Sequence, residues 1–326
     1  MTAAVGAAPG PGAAFAHETL LYRDDEEFVR GLTAYVREGL ERDEAVVVVE
    51  PRRRAELLQD ALGDDAGAVR WLDMDVVGAN PARIIPVWTD IVAEHLGEGG
   101  GSRRLRGVGE PAYPGRRMQE YVECQVHEAL LNHAFDDGPG WRLLCPYDET
   151  VLPPEVIAGA MRTHRVWTGP AGGGDSAHYA YGVPGSTDLA ALGAAAPLSA
   201  ATDVVLRGEF GPRDVPAVRR TVRQYARSCG IAEDRIESLE LAASELATNS
   251  IRHGGGTGSV ALWRDPDAAV IEFSDRGLIT DPLTGRRRPE PGQDGGMGLF
   301  LVNQLCDLVQ VRTSAEGTVI RISTWL

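Results

Sequence analysis

The sequence predicts an α/β fold in two parts, on three observations. Before residue 170, short apolar runs alternate with amphipathic helical stretches, the rhythm of a doubly wound parallel sheet with strands buried on both sides. Residues 170–203 are rich in Gly, Ala, Pro and Ser, which marks a break between domains. Beyond it, one long amphipathic helix is followed by strand-like runs and glycine turns, which predicts helices laid on one face of a mixed sheet.

The elements follow in order. Residues 1–14 carry neither a basic leader nor a proper hydrophobic segment and read as a flexible tail. In the first domain, strands are expected at Ala45 to Val49, Ala68 to Leu72, Arg104 to Val108 and Trp141 to Pro146. Helices are expected at Arg52 to Leu62, Pro81 to Leu96, Gly115 to Phe135 and Pro153 to Thr163. Residues 177–183 read as a last strand. In the second domain Val204 to Phe210 reads as a strand, Pro216 to Ser228 and 233–253 as helices, and 258–264 and 268–274 as strands. A helix from Met297 to Asp307 and strands near 308–313 and 317–324 close the chain. The expected division is a tail over 1–14, a first domain over 15–183, a linker over 184–203 and a second domain over 204–326.

Composition narrows the chemistry. A chain of 326 residues has room for two domains of ordinary size. Formal charge is −15, with 31 acids against 17 arginines in residues 1–203 and 16 against 15 in residues 204–326. An acidic chain without a basic stripe is poorly suited to nucleic acid and better suited to protein partners. All 32 basic residues are arginine. That excludes a Walker A lysine, a protein-kinase strand lysine, Schiff-base chemistry and serine–lysine dyads. Cys124, Cys145, Cys229 and Cys306 are scattered and form no C-x-x-C pair, as expected in a reducing cytoplasm. No apolar run approaches the length of a membrane span.

Glu245, Asn249 and His253 recur at four-residue spacing and share one edge of the helix over 233–253. Ile236, Leu239, Ala243, Leu246 and Ser250 form its buried face. A carboxylate beside an amide carbonyl offers hard oxygens to magnesium and phosphate. Downstream, Asp275 and Gly277 end a strand, where a fixed carboxylate can accept a hydrogen bond from an exocyclic amine. Gly295, Gly296 and Gly298 open the next helix, where backbone N–H groups can face phosphate. Between Gly277 and Gly295 lies a long loop with Arg286, Arg287 and Arg288. Its arginines either reach phosphate, meet an acidic partner, or form a solvated charge run.

The order of acidic helix, D-x-G and G-x-G resembles the ATP-binding domain shared by gyrase and histidine kinases. The wording ELATNSIRHG, with Gly317-Thr318-Val-Ile-Arg-Ile near the end, is most similar to the compact anti-sigma-factor serine kinases of bacteria. The resemblance covers about residues 204–326 and implies an α/β sandwich of the histidine-kinase/gyrase ATPase type. It implies ATP and Mg2+ as cofactors, Glu245 as general base, Asn249 as the magnesium ligand and Asp275 as the adenine reader. Gly277 becomes the close approach beneath the base, Gly295, Gly296 and Gly298 the phosphate turn, Thr318 a support for the adenine side, and the arginine loop the ATP lid. This sequence departs from the family at Leu278-Ile279, where a second glycine is usual.

In the first domain, the carboxyl ends of the strands, where ligands of such sheets sit, offer Asp73 and Asp75, Gly109-Glu110-Pro111, and Cys145, Tyr147 and Asp148. Cys124 and His127 share a helix face and could begin a soft-metal site with His133 and Cys145, or could serve packing and ordinary polar contacts. His17 reads as a ligand contact or a structural hydrogen bond. The phrases His17-Glu-Thr-Leu-Leu-Tyr22, Gly78-Ala-Asn80-Pro81, Gly109-Glu110-Pro111 and Leu144-Cys145-Pro146-Tyr147-Asp148 resemble the DcmR-type sensory (MEDS) domain over about residues 15–183. That resemblance implies a RecA-like sheet without its phosphate loop that senses a small molecule, and it names a role more than a mechanism; His17, Cys124, His127 and Cys145 are the candidate sensory-ligand residues on the reading of the residues themselves.

Three functions compete. The first is a cytoplasmic sensor-regulator that phosphorylates Ser or Thr of an anti-anti-sigma (STAS-type) partner and so controls a sigma factor, its kinase domain pairing into a homodimer as small kinases of this type often do. The second is an anti-sigma or other sequestering protein without kinase activity, with or without nucleotide. The third is an orthodox histidine kinase using the His127-Glu128 box, against which stands the strand at Trp141 to Pro146 where a second dimerisation helix would belong.

Overall fold

The computed structural model describes residues 15–96, 104–180, 198–201, 203–289 and 296–326. The tail, most of the expected linker, and Gly295 lie outside the described residues. The chain forms two compact units, Met1–Ala195 and Ala196–Leu326.

The first unit runs β1 (Ala16–Tyr22), α1 (Asp25–Glu41), β2 (Ala45–Glu50), α2 (Arg52–Leu62), β3 (Val69–Asp73), α3 (Met74–Val77), α4 (Ile84–Leu96), β4 (Leu105–Gly109), α5 (Met118–Phe135), β5 (Arg142–Asp148), α6 (Pro154–Thr163), β6 (Val166–Gly169) and β7 (Gly172–Asp175). Its sheet order is β3-β2-β4-β5-β1-β6-β7, parallel except for the β6–β7 hairpin. The continuous apolar run of β2 is buried throughout, as a strand covered on both faces must be. On one face α1 and α2 supply Phe28, Leu32, Tyr35, Leu58 and Leu62 to a core with Val46, Val48 and Val108. On the other, Trp88 of α4 packs over Gly107, where an added Cβ would meet its ring at 2.8 Å. The doubly wound expectation holds.

Two features depart from expectation. The alternation starts with β1 and α1, ahead of Ala45, because β1 opens on polar His17, Glu18 and Thr19 and shows no apolar run. Glu18 and Thr19 are satisfied inside: Glu18 takes a two-pronged contact from Arg142 at 2.9 and 3.0 Å, and Thr19 Oγ1 donates to the Cys145 carbonyl at 2.9 Å. The last strands are β6 and β7; residues 177–180 form no strand, and 181–183 lie outside the described residues. The three glycines of β7 hid it from a reading based on side-chain alternation.

The second unit runs β8 (Leu206–Phe210), α7 (Val215–Ser228), α8 (Glu233–His253), β9 (Gly258–Asp265), β10 (Ala268–Asp275), α9 (Met297–Leu305), β11 (Leu308–Ser314) and β12 (Gly317–Trp325). The sheet order is β11-β12-β10-β9-β8 and every pairing is antiparallel, not mixed. The two-residue links Pro266-Asp267 and Ala315-Glu316 require this direction for β9–β10 and β11–β12. The three helices cover one face through Val222, Ile236, Leu239, Ala243, Leu246, Leu299 and Val302 against Leu262, Ile271, Phe273 and Ile322. Ala242, Ala243 and Ala247 of α8 are buried in the same core. Among the described residues no helix is long and apolar enough to cross a membrane.

Candidate functional site

In the second unit the register of β10 against β12 places Asp275 directly opposite Thr318. The Asp275 carboxylate is fixed on both oxygens: Ser250 Oγ donates to Oδ2 at 2.7 Å and the Gly277 N–H to Oδ1 at 2.8 Å. Thr318 Oγ1 donates to the Gly277 carbonyl at 2.8 Å, so the turn is held from both sides. Gly277 has no room for a side chain, since an added Cβ would sit 2.5 Å from the His253 carbonyl oxygen.

A cavity of about 690 Å3 opens beside this turn, within the usual size of a small-molecule site. Asn249, His253, Asp275, Gly277, Gly296 and Thr318 all line it. Gly296 caps α9 in the left-handed conformation at φ 83°, which glycine adopts without strain. Gly296 and Leu299 both face the cavity, so the unpaired N–H groups of the first turn of α9 lie at its wall. Glu245 lies next to the cavity, against Gly298: a Cβ there would come within 2.6 Å of Glu245 Oε2 and 3.3 Å of Asn249 Nδ2. This donor set, a carboxylate and carboxamide on one helix edge facing a helix N-terminus, fits a magnesium-bound polyphosphate.

The structure adds to the sequence reading at several residues of this site. Ser250 was assigned only to the buried face, yet it also orients Asp275. Leu278 and Ile279, where the second glycine is absent, both line the cavity without filling it: Leu278 is 60% exposed and Ile279 packs on the core. The arginine loop is no uniformly solvated charge run. Leu283 and Arg286 are buried, and Asn303 of α9 donates to the Gly285 carbonyl at 2.9 Å. Only Arg287 and Arg288 turn to the cavity rim.

The first unit separates the residues expected to act together. Cys124 donates to the Pro111 carbonyl at 3.2 Å and His133 is exposed, so neither joins Cys145. His127 is buried in α5 with 1% exposure, which removes it from any exposed phospho-acceptor face. His17 and Cys145 do meet, with Nε2 and Sγ 3.4 Å apart, in the company of Glu128 and His164. Burial first, then the nearby His164, pushes the His17 imidazole down to about 4.

At the carboxyl ends of the strands, Tyr22 donates to Glu110 Oε1 at 2.6 Å, and Arg54 reaches Asp148 at 3.4 Å while lying over the Tyr22 and Phe28 rings. Glu50 sits here fully buried. Burial, and then the neighbouring Glu110 carboxyl, hold its pKa well above the ordinary 4.5. A raised folded pKa means that its contribution to stability is complete below pH 4.5 and is lost as pH rises through the folded value. Glu50→Gln is therefore expected to flatten the loss of stability of the first unit as pH rises above 4.5, measured as urea midpoints across a pH series. Parallel curves for the two proteins would contradict this.

An antiparallel sheet under three helices, with a glycine-capped helix facing an acid and amide edge, defines a histidine kinase-like ATPase domain. The matching family models are the MEthanogen/methylotroph, DcmR Sensory domain over residues 16–165 and the Histidine kinase-like ATPase domain over residues 209–324. The serine-protein kinase RsbW of Halalkalibacterium halodurans is 31% identical over 124 residues, 34% of this chain and 76% of that protein. The RsbW of Bacillus subtilis is 29% identical over 122 residues, 33% of this chain and 76% of that protein. A crystal structure of RsbU and RsbW domains from Mycobacterium tuberculosis covers 37% of this chain and 32% of that chain at 18% identity and a TM-score of 0.26. The chain belongs to the RsbW family of serine-protein kinases, here joined to an N-terminal DcmR-type sensory domain.

Proposed function

We propose that the ATPase domain binds Mg·ATP and transfers its terminal phosphoryl group to a Ser or Thr of an anti-anti-sigma protein of STAS type, thereby controlling a sigma factor. The sensory domain, assigned to residues 15–183 and connected through 184–203 to a kinase domain at 204–326, adjusts that transfer in response to a small molecule. The supporting observation is the meeting of Asn249, Asp275, Gly277, Gly296 and Thr318 around one cavity with Glu245 beside it.

When bound, ATP supplies the phosphoryl group and Mg2+ offsets its charge. Asn249 offers its carboxamide oxygen to the metal. Asp275, oriented by Ser250 and Gly277, accepts a hydrogen bond from the adenine amine, with Thr318 steadying the turn. The N–H groups at Gly296 and Gly298, with Gly295 before them, cradle phosphate; His253, Arg287 and Arg288 stand at the rim. Glu245 would accept the proton of the incoming Ser or Thr hydroxyl as the hydroxyl oxygen bonds to the terminal phosphorus and the bond from that phosphorus to the bridging oxygen breaks, releasing ADP. The four free thiols accord with a reducing, cytoplasmic setting.

A second reading, a nucleotide-binding sequestering protein that moves no phosphate, draws support from the position of Glu245 behind Gly298 instead of on the cavity wall. Incubating full-length protein with labelled Mg·ATP and a STAS-type anti-anti-sigma protein separates the two. Label on a Ser or Thr of the partner is the expected result; a stable complex without label favours the second reading.

A further inference from the structure

We propose that His17, Glu128, Cys145 and His164 form a closed site for a divalent transition metal of the zinc class inside the first unit, independently of any kinase activity. The four side chains come from β1, α5, β5 and the residue after α6, and their ligand atoms all lie within 4.8 Å of one another. Exposure is 5% for His17, 1% for Glu128, 1% for Cys145 and 0% for His164.

The hydrogen-bond pattern fixes which nitrogens carry hydrogen. His164 Nδ1 lies 2.8 Å from the Ala160 carbonyl, which only accepts, so Nδ1 donates; Thr163 Oγ1 is a further neighbour at 3.1 Å. Asn132 spends its amide donors on the Thr163 carbonyl at 2.8 Å and the Glu128 carbonyl at 3.3 Å. That leaves its Oδ1 to accept from His17 Nδ1 at 3.2 Å. Both Nε2 atoms therefore present lone pairs inward, at 3.0 Å (His17) and 3.4 Å (His164) from Glu128 Oε2. Neither Glu128 carboxylate oxygen nor His164 Nε2 has a hydrogen bond of good geometry, and the donors that come near Glu128 are the Tyr147 hydroxyl and the Cys145 thiol. Cys145 lies 3.4 Å from His17 Nε2, and its one thiol hydrogen can serve a single neighbour. Tyr147 borders the same spot, its hydroxyl pKa raised by burial and by Glu128.

Lone pairs and a carboxylate converging out of reach of water are costly unless a cation joins them. Two imidazoles, a thiolate and a carboxylate are ligands that tetrahedral zinc accepts, and bonds of about 2.0–2.3 Å place such donors roughly 3.3–3.8 Å apart. The observed contacts of 3.0, 3.4 and 3.4 Å need little movement to meet that. The outer nitrogens donating to Asn132 and Ala160 match the orienting contacts that metal-bound histidines use. A metal here would tie the adjacent strands β1 and β5 to α5 and α6, coupling its binding to their packing.

Co2+ added to chelator-treated full-length protein is the probe. The expected result is one equivalent bound, with visible d–d bands, a thiolate-to-cobalt charge-transfer band, and displacement of both by Zn2+. Cys145→Ser should lose the charge-transfer band, Cys124→Ser should keep it, and Asn132→Ala should weaken binding by about 10- to 100-fold. The wild-type spectrum decides the question even where a variant folds poorly. No saturable spectrum in the wild type, or a charge-transfer band surviving in folded Cys145→Ser, would overturn the site.

Discussion

Glu245→Gln is expected to lower phosphoryl transfer to the partner by about 10^2- to 10^4-fold, the range over which a positioned base contributes. Nucleotide affinity should change little, because Glu245 sits against Gly298 and not on the cavity wall that holds Asn249 and Asp275. Gln keeps the shape of Glu and its contact with α9, so the change removes proton acceptance with the least disturbance to packing. Single-turnover transfer alongside equilibrium nucleotide binding checks both halves. Transfer at the wild-type rate would remove Glu245 as the base; a parallel loss of binding would make it a structural support for α9.

Gly277→Ala should weaken nucleotide binding by roughly 30- to 150-fold while leaving the sheet folded. An added Cβ would meet the His253 carbonyl oxygen at 2.5 Å and Asp275 Oδ1 at 3.0 Å, and the first of these is backbone that cannot swing aside. Relief requires the turn to shift. That breaks the Gly277 N–H bond to Asp275 and the Thr318 bond to the Gly277 carbonyl, a combined loss of about 2–3 kcal/mol. Fluorescent-nucleotide titration with circular dichroism reads the two outcomes apart. Unchanged affinity would mean that the adenine side of the pocket is built elsewhere.

How much was legible in the sequence depended on whether a feature repeats locally. The bounds of α8 and its buried face were readable because Ile236, Leu239, Ala243, Leu246 and Ser250 keep a helical period over its whole length. The β1 strand was not, because His17, Glu18 and Thr19 are polar residues buried by partners more than a hundred residues away. Sheet direction in the second unit was read as mixed; the two-residue links between β9 and β10 and between β11 and β12 fix two of its four pairings as antiparallel, and the other two join strands far apart in sequence. In the ATPase domain the motif residues sit at strand ends and helix edges where spacing constrains them. Leu278, Ile279 and Arg287, noted in the sequence, sit in a loop with no period, so their place on the cavity wall could not be read from spacing. The cluster in the first unit shows the limit most clearly. Cys124 and His127 attracted notice by their spacing and Glu128 only as part of a phospho-acceptor box, whereas His164 carries no local signal; His17, Glu128, Cys145 and His164 meet only through the crossing of four elements.

The central claim is that one cavity in the ATPase domain takes Mg·ATP through Asn249 and Asp275. Titration calorimetry of Mg·ATP into full-length protein, beside Asn249→Ala, tests it most directly. The account predicts saturable one-to-one binding in the wild type that weakens by about 10-fold or more in the variant, as expected on losing a ligand to a charged group. Absence of heat in both proteins, or equal affinity in both, would contradict it.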